Sequence, residues 1–160
     1  MEKTSDVSGN DERRTGSDSS EKKHRKEKEM SRTDFSERLQ MYRDADMIKD
    51  QDVQDVKNVI QMFRKEYGVK LCEENADTFI AHLCMACMRN TTKEEVPPLT
   101  EDNLAELAAL PTYQKSLEIL NKMQEVMVNP LSSTEKNYVL LHLNNLIQKL
   151  KDLGEWPETA

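Results

Sequence analysis

The chain has 160 residues, of which 36% are hydrophobic, 33% are charged and only 5% are aromatic. No run approaches the roughly 18 uninterrupted apolar residues of a membrane span, and the polar N-terminal segment does not match a signal peptide. The net charge of −7 argues against general affinity for nucleic acid, and an odd set of three cysteines is typical of a reducing compartment. We therefore expect a cytoplasmic protein that contacts neither nucleic acid nor membrane directly.

Residues 1–33 are almost entirely polar or charged. Such a segment cannot bury enough apolar surface to offset the entropy lost on ordering, so we predict a disordered leader. Its basic cluster at 22–26 is balanced by neighbouring acids, because residues 1–34 hold nine charges of each sign. The folded domain is predicted over 34–156 and would carry the whole net negative charge.

The hydrophobic pattern becomes helical from Phe35 onward, with apolar residues recurring at spacings of three and four. A first helix is predicted over 34–49. A second ends at Gly68, a residue suited to a helix C-cap, and a third spans 73–90. Each of these helices has one apolar stripe. The stripe of the first helix is Phe35, Leu39 and Tyr42. The second has Val53, Val56, Ile60, Phe63 and Tyr67, and the third has Ala76, Phe79, Ile80, Leu83 and Cys87.

Prolines and capping residues divide the second half of the domain. The Pro-Pro pair at 97–98 breaks the chain, and Thr100 is a candidate N-cap for a fourth helix. A fifth helix is predicted within 111–127, and the last within 132–153. Because no segment keeps a strand-like period, the fold class is predicted to be all-α, a compact bundle of five or six helices. The stripe of the last helix is Val139, Leu143, Leu146 and Leu150.

His82 and His142 lie sixty residues apart in similar apolar contexts. A neutral imidazole is a good nucleophile, and helical geometry places both rings at the edge of a core stripe. Both are therefore candidate phosphoacceptors. Arg89 would steady a phosphoryl group near His82, and Tyr138 or Asn145 would orient His142. The alternative is that both are packed core histidines with satisfied hydrogen bonds.

Two motifs resemble those of the PTS regulation domain (PRD) family. The segment from Glu135 to Leu143 is similar to the family's second histidine motif, in which an acid, an aromatic residue and Leu-His-aliphatic recur at this spacing. Phe79 to Leu83, followed by Arg89, resembles the first motif, where an arginine follows the histidine by seven positions. The separation of the motifs also agrees, and the resemblance covers about residues 48–151.

The resemblance implies a five-helix bundle with a regulatory role in a bacterial cell. PRDs accept phosphoryl groups on histidine from the sugar phosphotransferase system, through HPr or a sugar-specific carrier subunit. That event shifts a dimer and controls transcription through an effector. The match is best to short stand-alone proteins with a single PRD, which implies a homodimer and an effector on a separate chain. Ala81 stands where an aspartate is common, so a carboxylate that would orient His82 is missing there.

Other sites have weaker patterns. Cys84 and Cys87 share a helix face, but His82 points away from them, so small buried side chains are favoured over a metal site. The aspartates at 44–55 lack the Gly and Glu of a calcium loop and are predicted to form a solvated face. The methionines are predicted to pack in the core.

The chain has neither a Gly-rich phosphate loop nor a recognisable nucleophile motif, so we predict no enzyme activity, no catalytic residue and no cofactor. Two alternatives to the phosphoacceptor stay open. One is a helical protein-protein interaction module that is not phosphorylated, and the less favoured one is a metal-binding helical protein.

Overall fold

A computed structural model describes residues 32–157, and every regular element in this part of the chain is an α-helix. The all-α prediction is therefore confirmed, with the higher of the two predicted helix counts. The predicted disordered leader falls almost entirely on residues 1–31, which lie outside the described residues. The helices are α1 (Ser36–Asp44), α2 (Asp50–Tyr67), α3 (Glu73–Thr92), α4 (Glu101–Ala108), α5 (Tyr113–Val126) and α6 (Ser133–Asp152).

Local side chains set the predicted helix ends. The Thr100 hydroxyl accepts the amide N–H of Asn103 at 3.1 Å and so caps α4. The Ser132 hydroxyl accepts the amide N–H of Glu135 at 3.2 Å and so caps α6. Gly68 ends α2 in the left-handed conformation, with φ of +67°, where a side chain would be strained.

The first helix is shorter than predicted. It ends at Asp44 rather than near residue 49, because Asp46 adopts a left-handed conformation with φ of 60°. The resulting turn lets Ile48 enter the core from the loop, where it is 4% exposed. The hydrophobic pattern continued through this loop, so it concealed the helix end.

Helix α6 is central to the packing, since it contacts α3, α4 and α5, while α2 packs on α1, α3 and α5. All four residues of the stripe predicted for α6 are buried. The expectation that the methionines are core residues is wrong in part, because Met41, Met47 and Met85 are exposed. No helix within residues 32–157 is both long enough and apolar enough to cross a bilayer.

The prediction of a solvated aspartate face is wrong for Asp52 and Asp55, which are at most 1% exposed. The two oxygens of Asp55 accept the amide N–H groups of Val128 and Asn129, at 2.9 and 3.0 Å. Asp52 accepts the backbone N–H of Lys49 at 2.9 Å and the side-chain amide of Asn129 at 3.1 Å. The two carboxylates therefore fasten the start of α2 to the loop that leads into α6.

The candidate site is a stacked histidine pair

Helices α3 and α6 bring His82 and His142 face to face. The ring centroids are 3.8 Å apart and the ring planes differ by 13°, so the two imidazoles are stacked. Both side chains are half-buried, at the boundary between core and solvent where the helical period placed them. The two residues with the strongest functional pattern in the sequence thus form a single site.

The register between α3 and α6 follows from spacing along both helices. Arg89 follows His82 by seven residues, and Glu135 precedes His142 by seven, a translation of about 10.5 Å along either helix. The Arg89 guanidinium donates to the two carboxylate oxygens of Glu135 at 2.7 and 3.0 Å. Because one interval runs forward and the other backward, the two pairs require α3 and α6 to be antiparallel.

Burial and the neighbouring ring both favour a neutral His142. Desolvation is the larger cause and the charge of His82 the smaller, and together they lower the pKa of His142 from 6.5 to about 4. A neutral ring has a nitrogen lone pair, which a nucleophile requires. The His142 ring is therefore neutral near pH 7.

The ring nitrogens of both histidines are free of hydrogen bonds to the described residues. Neither imidazole hydrogen-bonds to another residue within 32–157, and no nitrogen of either ring is a buried atom without a partner. The nitrogens therefore remain accessible to water. The alternative prediction, of packed histidines with satisfied hydrogen bonds, does not describe this geometry.

A groove of about 340 Å³ opens beside the pair. Both histidines line it, and so do Arg89, Glu135 and Tyr138. The rest of its wall is apolar and is formed by Phe79, Leu83, Met85, Ala86, Val96, Pro97, Val139 and Leu141. A small anionic group delivered to either ring would therefore meet one guanidinium in largely apolar surroundings.

Arg89 lies in this groove as expected, but it already has a partner. Its bonds to Glu135 leave its side chain 17% exposed and that of Glu135 10% exposed. The hydrogen bond to Glu135 is the main cause of a raised Arg89 pKa, so the guanidinium stays charged. Glu135 belongs to the second histidine motif, but no role was predicted for it. Its seven-residue offset from His142, which matches that of Arg89 from His82, is the sequence signal that pointed to it.

Tyr138 and Asn145 are not placed to orient His142 in the predicted way. The Tyr138 hydroxyl donates to the carbonyl oxygen of Pro97 at 2.6 Å and so holds the α3–α4 connection against α6. Asn145 is exposed and lines a separate cavity of about 160 Å³ on the other side of His142. Of the three supporting residues, Arg89 and Tyr138 share the groove with the pair and Asn145 does not.

The cysteines are buried in the bundle, as the packing interpretation predicted. Desolvation is the main cause that raises the pKa of Cys84, to about 12, and the pKa of Cys87 is raised further for the same reason. Both thiols are therefore protonated near neutral pH, the form that neither attacks nor binds metal. Within residues 32–157, no three His, Cys, Asp or Glu side chains are grouped to hold a metal ion.

No protein-family model, curated protein or solved structure matches this chain.

Proposed function

We propose that this chain is a regulatory phosphoacceptor of the PRD type, in which His82 or His142 receives a phosphoryl group from the sugar phosphotransferase system. The stacked pair carries the proposal. Two motifs sixty residues apart, each resembling a PRD histidine motif, meet in one groove with their ring centroids at 3.8 Å. A chance likeness between two unrelated helix faces would not require them to meet.

The chemistry of the site suits acceptance of a phosphoryl group. A lone pair on a neutral ring nitrogen attacks phosphorus and forms the N–P bond. The bond from phosphorus to the donor's histidine breaks, and the donor nitrogen keeps that electron pair. The pKa of His142, lowered by burial, keeps this ring in the reactive neutral form near pH 7.

Arg89 is the residue that would steady the added charge. It is held within the groove by Glu135, and a phosphoryl dianion offers a guanidinium the same two-oxygen geometry as a carboxylate. Phosphorylation would therefore draw Arg89 toward the new group and weaken its bonds to Glu135. Since that pair joins α3 to α6, the change would reach the packing of the bundle and, through it, self-association or a separate effector.

The expected donor is HPr or a sugar-specific carrier subunit, and the expected compartment is the bacterial cytoplasm. Incubation with phosphoenolpyruvate, the general phosphotransferase proteins and such a carrier should give an acid-labile mass gain of one phosphoryl group. His82→Ala/His142→Ala should lose the gain, and His24→Ala is the matched control that should keep it.

The leading alternative is an interaction module that is not phosphorylated. The apolar part of the groove wall favours it, since Met85 is 41% exposed beside Val96 and Leu141. No mass gain with any carrier, from a protein that is folded by circular dichroism, would refute the phosphoacceptor and leave this alternative.

A further inference from the structure

We infer that His82 and His142 act as one acceptor that takes a single phosphoryl group, which either ring can hold. This inference rests on the proposed function. It is carried by the stacking of the two imidazoles, with centroids at 3.8 Å and planes within 13° of parallel. Because the ring nitrogens are accessible, either ring can accept a phosphoryl group. Because the rings are so close, a group on one ring disfavours a second group on the other.

The shared groove sets where the groups would lie. A phosphoryl group on a ring nitrogen lies near the plane of that ring. Both histidines line the same groove, so a donor reaches both from the same side. Two phosphoryl groups on stacked rings would then be held only a few ångströms apart.

The charges along the groove support one anion and not two. Among the described residues that line it, Arg89 is the only lysine or arginine, and Glu135 already balances its charge. One phosphoryl group can compete with Glu135 for that guanidinium. A second group in this groove has no further lysine or arginine to meet, because Lys149 lines the separate cavity on the other side of His142. Even with water-like screening, two dianions this close slow the second transfer by about a hundredfold.

Either ring can serve as the nucleophile in chemical terms. In either case a ring nitrogen forms the new N–P bond, the donor's N–P bond breaks, and the donor nitrogen keeps the electron pair. With phosphoramidate as donor the leaving group is ammonia. Loss of one histidine therefore transfers the reaction to the other ring instead of abolishing it.

The test uses potassium phosphoramidate and the full chain, with His24→Ala in every variant so that only the pair can react. Intact mass is followed at neutral pH. We expect one phosphoryl group on the protein that keeps both histidines, one on His82→Gln, one on His142→Gln and none on the double variant. In the protein with both histidines, peptide mapping should place the group on His82 in some molecules and on His142 in others.

The outcomes separate the inference from the proposed function. Two phosphoryl groups on one molecule would overturn the inference and leave the proposed function standing. A group found on one ring only, by mapping of the protein that keeps both, would also overturn it, and this readout does not depend on whether a variant folds. No gain from phosphoramidate or from the phosphotransferase proteins would overturn both.

Discussion

Arg89 and Glu135 form a two-bond ion pair that joins α3 to α6 seven residues from the stacked histidines on each helix. The backbone N–H of Glu135 also donates to the N-cap hydroxyl of Ser132, so the ion pair is linked to the start of α6. The site thus has two layers, the imidazoles and an ion pair that sets the register of the helices bearing them.

Removal of one partner from this pair should destabilise the fold. Glu135→Ala leaves the Arg89 charge mostly buried without a partner, and we expect a loss of about 3 kcal/mol in the free energy of unfolding, measured with urea. Arg89→Met combined with Glu135→Leu removes both charges and should cost less than the sum of the single changes. If the double variant lost as much free energy of unfolding as the two single variants together, the two side chains would not be coupled.

The stability of the fold should decrease with acid in a window set by His142. Its pKa is about 4 in the folded state against 6.5 for the ordinary group, so below pH 6.5 the unfolded chain binds the proton more readily. The contribution is therefore fully present above pH 6.5, declines as the pH falls, and is lost once the pH has passed about 4. Urea midpoints between pH 7 and pH 5 measure it before most carboxylates titrate.

Three variants separate this contribution from those of other histidines. His142→Gln should flatten the decline between pH 7 and pH 5, whereas His24→Gln should leave it unchanged. Because His82 is the second cause of the lowered pKa, His82→Gln should make the decline shallower without removing it. A wild-type stability that stays constant over this range would contradict the half-buried, stacked position of His142.

Asp55 should contribute more to stability than its exposed neighbours. Asp55→Asn offers one acceptor oxygen where two amide N–H groups now bind, and it removes the charge from both hydrogen bonds. We expect a loss of about 2 kcal/mol in the free energy of unfolding, from the value of buried charged hydrogen bonds. Asp50→Asn, at an exposed position paired with Arg43, is the matched control and should change little.

The contrast between Asp50 and Asp55 marks the limit of prediction from the sequence. Helical period alone placed the core stripes of α2, α3 and α6, and capping chemistry placed Thr100 at the start of α4. The burial of Asp55 depends on amides 73 and 74 residues away, which no local pattern contains. The meeting of the two histidines likewise depends on the antiparallel register of α3 and α6, which the matched seven-residue offsets imply only once the two helices are known to be neighbours.

The buried thiols should be unreactive in the native protein. Burial raises the pKa of Cys84 to about 12 and keeps both it and Cys87 protonated, so a disulfide reagent such as DTNB should label neither at pH 8. In denaturant all three cysteines of the chain should react. Rapid native labelling at Cys84 or Cys87 that zinc suppresses would revive the metal-binding alternative.

Finally, the segment that follows α6, residues 153–157, should stabilise the bundle through its contacts with α2 and α3. Past Gly154, which is left-handed with φ of +74°, the Trp156 ring stacks on Tyr67 with centroids 5.9 Å apart. The side-chain amide of Asn75 donates to the Glu155 carboxylate at 2.8 Å, so the segment is joined to α3 as well as to α2. Trp156 is the only tryptophan in the chain, so its fluorescence reports on this contact directly.

Loss of the Trp156 indole should therefore lower the free energy of unfolding by a measurable amount. Trp156→Ala removes an aromatic stack and its buried area, and we expect about 2 kcal/mol less free energy of unfolding in a thermal melt followed by circular dichroism. Leu153→Ala, at a position that is 45% exposed, is the control and should change little. Asn75→Ala should shift the Trp156 emission to longer wavelength, because without the bond to Glu155 the indole spends more time in water. Unchanged emission would mean that the stack on Tyr67 holds the segment without help from α3.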